Sequence, residues 1–124
     1  MNILLDSDIA FEILRARDKA ILSKWSAMIV SGAVVFYSPV TAAEVWAGVL
    51  PNEHQFITRL FRPLLCVAAD YDIGKLAGEF LRKYARSQSL EIGDAIIAAT
   101  AIQNQSALWT RNRKHYPMPG LTFY

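Results

Sequence analysis

Short runs of apolar residues alternate along the chain with longer segments in which apolar residues recur at helical spacing. Four short runs, rich in aliphatic, β-branched or aromatic residues, predict strands at residues 2–5, 34–37, 107–110 and 121–124. Six longer segments predict helices at residues 8–14, 20–30, 41–49, 53–60, 71–84 and 90–104. This alternation predicts an α/β fold with a parallel sheet covered by helices on both faces. Functional sites in such folds lie beyond the carboxyl ends of the strands.

The composition predicts one folded domain spanning residues 1–124. Hydrophobic residues make up 53% of the chain and charged residues 19%, which excludes a disordered protein. The net charge of +2 is too small for nucleic acid to be held by bulk charge alone. The single cysteine, Cys66, excludes an internal disulfide framework and a multi-cysteine zinc site. It lies in the apolar run 64–68, so we expect a buried and inert thiol.

The sequence predicts neither a signal peptide nor a membrane span. The apolar run 3–5 is too short for the core of a signal peptide and leads directly into Asp6 and Asp8. The longest uncharged window, residues 25–43, contains Gly32 and Pro39 and is interpreted as a helix end, a strand and a helix start. We therefore expect a soluble, cytoplasmic protein.

Four polar positions stand where the predicted sheet would expose a site: Asp6, Glu44, Asp94 and Asn112. Each also has an ordinary structural explanation, respectively a helix cap, a capping box with Thr41, a helix-dipole interaction and a turn. Taken together, they place three carboxylates and an amide at one edge of one sheet. Like charges so close raise each other's pKa unless a cation lies between them. Hard oxygen ligands favour Mg²⁺ or Mn²⁺, which suits metal-assisted hydrolysis of a phosphodiester.

These segments resemble, in order and spacing, the PIN-domain nucleases, and specifically the VapC-type toxins of bacterial and archaeal toxin–antitoxin pairs. The resemblance is carried by residues 4–9, 38–49, 92–101, 108–112 and 115–121, and so covers essentially the whole chain. It implies a three-layer α/β/α fold with a central parallel sheet. It also implies that Asp6, Glu44 and Asp94 bind Mg²⁺ or Mn²⁺ and form the catalytic set with Asn112.

The fourth position of that set is often acidic in the family, whereas here it is the amide Asn112. An amide oxygen brings no charge, which favours one persistent metal ion and a second that arrives with RNA. Ser7 and Thr110 are expected to orient the carboxylates. Six basic residues are candidates for contact with RNA phosphates: Arg82, Lys83, Arg86, Arg111, Arg113 and Lys114. Tyr116 and Trp46 are candidates for stacking on bases, although packing in the core or an interface is the favoured explanation for both.

By the same resemblance, the chain is an endoribonuclease that inhibits translation and growth, its partner is a small VapB-like antitoxin, and it forms a homodimer. One alternative is a receiver-like phospho-acceptor domain, for which Asp70 could be offered as the acceptor but no lysine lies in the required place. Another is a PIN-like binding module without catalytic activity, which the amide at Asn112 leaves open.

Overall fold

The computed structural model describes all residues from Met1 to Tyr124 and contains one parallel sheet. Its strands are β1 (Asn2–Leu5), β2 (Val34–Tyr37), β3 (Leu65–Cys66) and β4 (Ala107–Trp109), in the order β3-β2-β1-β4. In the register, Leu4 of β1 lies beside Phe36 of β2 and Leu108 of β4. The central strand β1 is apolar throughout its last three residues, and these have no solvent exposure.

Six α-helices surround the sheet: α1 (Ser7–Arg15), α2 (Lys19–Ser31), α3 (Pro39–Gly48), α4 (His54–Phe61), α5 (Tyr71–Tyr84) and α6 (Ile92–Gln103). Short 3-10 turns cover Pro51–Glu53 and Arg113–His115. No helix is long and apolar enough to cross a membrane.

The side chains of β1 alternate between two separate hydrophobic clusters. Leu4 packs with residues of α5 and α6 on one face of the sheet. Ile3 and Leu5 pack with residues of α1, α2, α3 and α4 on the other face. Because successive side chains of a strand point to opposite faces, one apolar strand serves both clusters. The predicted three-layer α/β/α fold with a central parallel sheet is confirmed.

Two predicted helix starts can be compared with the structure. Asp70 caps α5, accepting a hydrogen bond from the backbone N–H of Ile73, as the sequence predicts. The helix predicted to open at Thr41 begins instead at Pro39, with Ser38 as its cap. Proline is favoured at the first helical position because its fixed φ suits a helix and its missing N–H is not needed there.

Two other predictions were wrong. Cys66 is exposed rather than buried, because it belongs to the two-residue edge strand β3, which pairs only with β2. The segment 121–124 forms a single bridge, between Leu108 and Phe123, rather than a strand. Its backbone makes just two hydrogen bonds with Leu108, too few for a regular ladder.

Candidate metal centre

The carboxyl ends of β1 and β4 bring the segments after these strands to one edge of the sheet. Asp6 follows β1, and its backbone N–H donates to the carbonyl of Trp109 at the end of β4. Ser38, at the end of β2, starts the helix that carries Glu44. The first turn of α6 lies against this helix, since a Cβ built on Gly93 would be 3.9 Å from Glu44 Oε2. Asp94, the next residue, therefore enters the same region.

A cleft of about 410 Å³ opens at this edge. Its walls are formed by Asp6, Ser7, Asp8, Glu44, Gln88, Ser89, Glu91, Asp94, Asn112, His115 and Tyr116. All four predicted site positions are present, together with two further acids, and no lysine or arginine is among the lining residues. The cleft is therefore strongly acidic.

The carboxylate of Asp6 is held by Tyr116, a residue predicted as a candidate for stacking on bases. The hydroxyl of Tyr116 donates to Asp6 Oδ2 over 2.8 Å, and both residues are buried. Burial, and then the negative charge of Asp6, raise the pKa of Tyr116, so the phenol stays protonated and remains a donor. Tyr116 therefore positions a carboxylate and is not available to stack on a base.

Glu44 faces Ser7 and takes no part in a capping box. Ser7 Oγ donates to Glu44 Oε1 over 3.2 Å. Thr41, the expected partner of Glu44, is fully buried and donates from Oγ1 to the carbonyl oxygen of Leu5 over 3.3 Å. The predicted contact of Ser7 with a site carboxylate is present, whereas the capping-box alternative was wrong.

Asp8, which is not among the four predicted site positions, links α1 to the segment after β4. Its Oδ1 accepts from the N–H of Ile9. Its Oδ2 accepts from the N–H of Arg111 over 2.9 Å and from Asn112 Nδ2 over 3.2 Å. Thr110 Oγ1 lies 3.5 Å from the same oxygen and accepts from the N–H of Asn112. Thr110 and Asn112 thus contact Asp8, rather than the predicted site acids Asp6, Glu44 and Asp94.

Burial and neighbouring charge disfavour the ionisation of three acids of the cleft. Burial raises the pKa of Asp8, Glu44 and Asp94, and the charge of Asp6 raises each of them further. The hydrogen bond from Ser7 acts in the opposite direction on Glu44. A cation placed among these groups would relieve their repulsion.

The donor set fits a hard divalent cation, although it is not gathered into a closed cage. No group of three His, Cys, Asp or Glu side chains is arranged so that it would hold an ion by itself. Mg²⁺ commonly binds through one or two carboxylates and keeps several waters, which matches an open cleft of separate carboxylates. Asp6, Glu44 and Asp94 are the acids that would hold it.

Comparison with known proteins identifies the family. The sequence model of the PIN domain family matches residues 3–121 of this chain. The chain belongs to the PIN domain family. Two relatives come from Mycobacterium tuberculosis. Ribonuclease VapC19 is 30% identical over 116 residues, covering 93% of this chain and 92% of that protein. Ribonuclease VapC10 is 33% identical over 121 residues, covering 94% and 86%.

Solved structures of low sequence identity share the PIN fold. DNA-bound VapBC from Salmonella typhimurium matches with a TM-score of 0.83 and 17% identity, covering 100% of this chain and 97% of that one. VapBC2 from Rickettsia felis bound to a promoter DNA fragment matches with a TM-score of 0.82 and 19% identity, covering 100% and 98%. This family membership replaces the receiver-like alternative, and Asp70 serves as the cap of α5.

None of the six basic residues predicted to contact RNA lines the acidic cleft. They are Arg82, Lys83, Arg86, Arg111, Arg113 and Lys114. Arg113 donates to the backbone oxygen of Tyr124 and lies over the ring of Phe123. Arg111 forms an ion pair with Glu12. The wall of the cleft contains one imidazole, that of His115.

Proposed function

We propose that this chain is a metal-dependent endoribonuclease and the toxin of a VapBC-type toxin–antitoxin pair, built as a single nuclease domain over residues 1–124. The observation that carries the proposal is the acidic cleft, in which carboxylates from three segments of the chain meet, and in which burial and the charge of Asp6 raise the pKa of Asp8, Glu44 and Asp94. The family, and the relatives named as VapC ribonucleases, support RNA as the substrate. A PIN-like module without catalytic activity remains the competing outcome of the test.

In the proposed site, Asp6, Asp94 and Glu44 would hold Mg²⁺ or Mn²⁺. Such an ion would lower the pKa of an attacking water and stabilise the charge that develops on the phosphate. Tyr116 and the backbone N–H of Ser7 fix the two oxygens of Asp6.

Glu44 is the proposed general base of the reaction. The hydroxyl of Ser7 anchors Oε1 of Glu44, which leaves the second carboxylate oxygen to take a proton from the water. Asn112 and Thr110 hold Asp8, which keeps the segment after β4 against the cleft. Because the amide of Asn112 adds no charge, we propose one tightly held ion.

The proposed biological partners follow from the same assignment. They are a VapB-like antitoxin that neutralises the nuclease, an RNA whose cleavage stops translation and growth, and a second copy of the chain. Mapping of RNA ends in cells after induction of this chain identifies the substrate, and co-purification with the product of a short neighbouring gene tests for the antitoxin.

Cleavage of RNA by the purified chain, free of any antitoxin and supplied with Mn²⁺, tests the activity. Asp94→Asn should lower the rate by at least about 100-fold, since it removes a proposed metal ligand. This variant is preferable to Asp6→Ala, because Asp6 also caps α1 and its loss costs about 1 kcal/mol of stability.

Asp72→Asn is the matched control. Asp72 is an exposed acid in the first turn of α5 and lies outside the cleft. It should cleave as the wild type does. Equal activity of Asp94→Asn and the wild type would refute the site, and a wild type that does not cleave RNA with Mn²⁺ would favour the module without activity.

A further inference from the structure

A second groove, which we call the arginine groove, opens beside the acidic cleft. Its volume is about 490 Å³, and it shares Asp8 and Asn112 with the cleft. Its other polar residues are Glu12, Arg15, Arg17 and Arg111. The two openings therefore meet at one wall, with carboxylates on one side and guanidinium groups on the other.

One buried glutamate organises two of these guanidinium groups. Glu12 Oε1 accepts a hydrogen bond from Arg17 Nη2 over 2.8 Å and forms an ion pair with Arg111 Nη1 over 3.1 Å. The side chain of Glu12 is 10% exposed, whereas those of Arg17 and Arg111 are 63% and 50% exposed. One negative charge thus holds two positive charges together, and the pair keeps a net positive charge with free N–H donors toward solvent.

The third arginine of the groove is already neutralised. Arg15 donates from Nε and Nη2 to the two carboxylate oxygens of Glu53, over 3.1 and 3.2 Å. Its charge is therefore satisfied within the protein. The unsatisfied positive charge of the groove belongs to Arg17 and Arg111.

The backbone is shaped to bring these two residues together. Ala16 ends α1 in the left-handed conformation, with φ at 53°, and its N–H donates to the carbonyl of Glu12. This turn brings the side chain of Arg17 back to Glu12. On the other side, the N–H of Arg111 is fixed on Asp8. The turn at the end of α1 therefore positions Arg17, and the contact with Asp8 positions Arg111.

We propose that Arg17 and Arg111 bind a backbone phosphate of the RNA strand, next to the phosphate that is cleaved. Arginine forms paired N–H bonds to phosphate oxygens, and a guanidinium pair fixed in place loses little freedom when it binds one. Because the groove and the cleft share a wall, one strand passing over it presents successive phosphates to both. This inference rests on the proposed ribonuclease function and adds Arg17 to the residues considered for RNA binding.

Binding of a fluorescein-labelled single-stranded RNA of 15 nucleotides, measured by anisotropy in EDTA at several salt concentrations, tests the groove without cleavage. Arg17→Gln should weaken binding about 3- to 10-fold and reduce the slope of log affinity against log salt by about 0.7, the value for one lost contact with a single strand. Arg111→Gln should have a similar effect. Arg17→Lys should keep the slope near the wild-type value, because the charge remains.

The matched control is Lys75→Gln, which also removes one positive charge. Lys75 is exposed on α5 and lies beside Gln103, at the opposite end of α6 from Asp94. It should bind RNA as the wild type does. Thermal unfolding of each variant checks the fold, and Arg17→Gln and Arg111→Gln each leave Glu12 with one arginine partner.

Three results would overturn the inference. If the wild type binds and cleaves RNA while Arg17→Gln and Arg111→Gln bind it like Lys75→Gln, the arginine groove fails and the ribonuclease stands. If the wild type neither binds nor cleaves RNA, both fail. If a ten-residue glutamate peptide binds the wild type but not Arg17→Gln, while RNA binding is unchanged, the groove receives an acidic protein segment.

Discussion

Asp6 uses its two carboxylate oxygens for two different contacts. Oδ1 accepts the N–H of Ser7 and caps α1, and Oδ2 accepts the hydroxyl of Tyr116. Asp8 divides its oxygens in the same way, between Ile9 and the segment after β4. Capping and cleft formation are therefore compatible roles of the same residue, because each carboxylate oxygen has two acceptor sites and a cap occupies only one.

The hydroxyl of Tyr116 sets the orientation of Asp6, so Tyr116→Phe should weaken metal binding. Calorimetric titration with Mn²⁺ should show one tight site in the wild type and an affinity about 10-fold lower in the variant. The free energy of unfolding should fall by about 1–3 kcal/mol, since a buried carboxylate loses a donor.

Tyr71→Phe is the control for this substitution, because Tyr71 is 81% exposed and lies outside the cleft. It should change neither quantity. Undiminished Mn²⁺ affinity in Tyr116→Phe would mean that Asp6 is oriented by the fold without its donor.

Asp94 should destabilise the metal-free protein as the pH rises. Burial and the charge of Asp6 raise its pKa in the folded state above that in the unfolded chain, so the native state holds the proton more tightly. The free energy of unfolding therefore decreases as the pH rises from about 4, the unfolded value, through the raised pKa. Measured in EDTA at pH 7.5, the thermal midpoint of Asp94→Asn should exceed that of the wild type by a few degrees.

At a pH well below about 4, Asp94 is protonated in both the folded and the unfolded state, so this advantage of the variant should disappear. Addition of Mn²⁺ at pH 7.5 should raise the midpoint of the wild type more than that of Asp94→Asn. If the midpoints in EDTA differ by the same amount at every pH, repulsion within the cleft is not the cause.

At the scale of elements, the sequence predicted those helices and strands whose local signals are complete. Asp70 precedes a long amphipathic segment, and α5 begins there as predicted. Ser38 and Pro39 form a start signal as well, but a proline also ends strands, and the helix predicted from Thr41 therefore starts two residues late. The two-residue strand β3 has no periodicity to detect, because its position depends on pairing with β2.

The difference between local sequence signals and tertiary contacts also explains which residues of the site could be predicted. Asp6, Glu44 and Asp94 were found because they interrupt or follow apolar elements, and all three line the cleft. The contact of Tyr116 with Asp6 spans 110 positions of the chain and has no local signature. Tertiary structure alone brings these partners together.

The cap of α3 should matter to the whole domain, because α3 carries Glu44 and packs against α1 and α6. Ser38 is fully buried and its side chain accepts from the N–H of Val40 over 3.1 Å. Ser38→Ala should lower the free energy of unfolding by about 1–2 kcal/mol, measured by urea denaturation. Ser87→Ala, at an exposed serine outside the helices, should change it by less than about 0.5 kcal/mol. Equal stability of the two variants would show that the cap contributes nothing.

At the scale of the molecule, opposite charges are segregated around one wall. Five acids are among the residues that line the cleft, and the arginine groove presents the guanidinium groups on the far side of Asp8 and Asn112. The segment 110–112 after β4 separates the two. A total charge of +2 therefore conceals an acidic cleft beside a groove that gathers three arginines.

Large apolar side chains are exposed on α3, on α4 and on the segment between them. We therefore predict that the chain forms a homodimer through this region. Trp46, Leu50 and Phe56 are 44%, 57% and 50% exposed, and Trp46 packs edge-on against His54 within the same chain. Exposed aromatic and aliphatic groups of this kind are typical of subunit interfaces.

Sedimentation should give the mass of two chains for the wild type and of one chain for Trp46→Glu. Tyr71→Glu, at an even more exposed aromatic residue on α5, should remain dimeric. A wild type that sediments as one chain, or a dimeric Trp46→Glu, would place the contact elsewhere or exclude it.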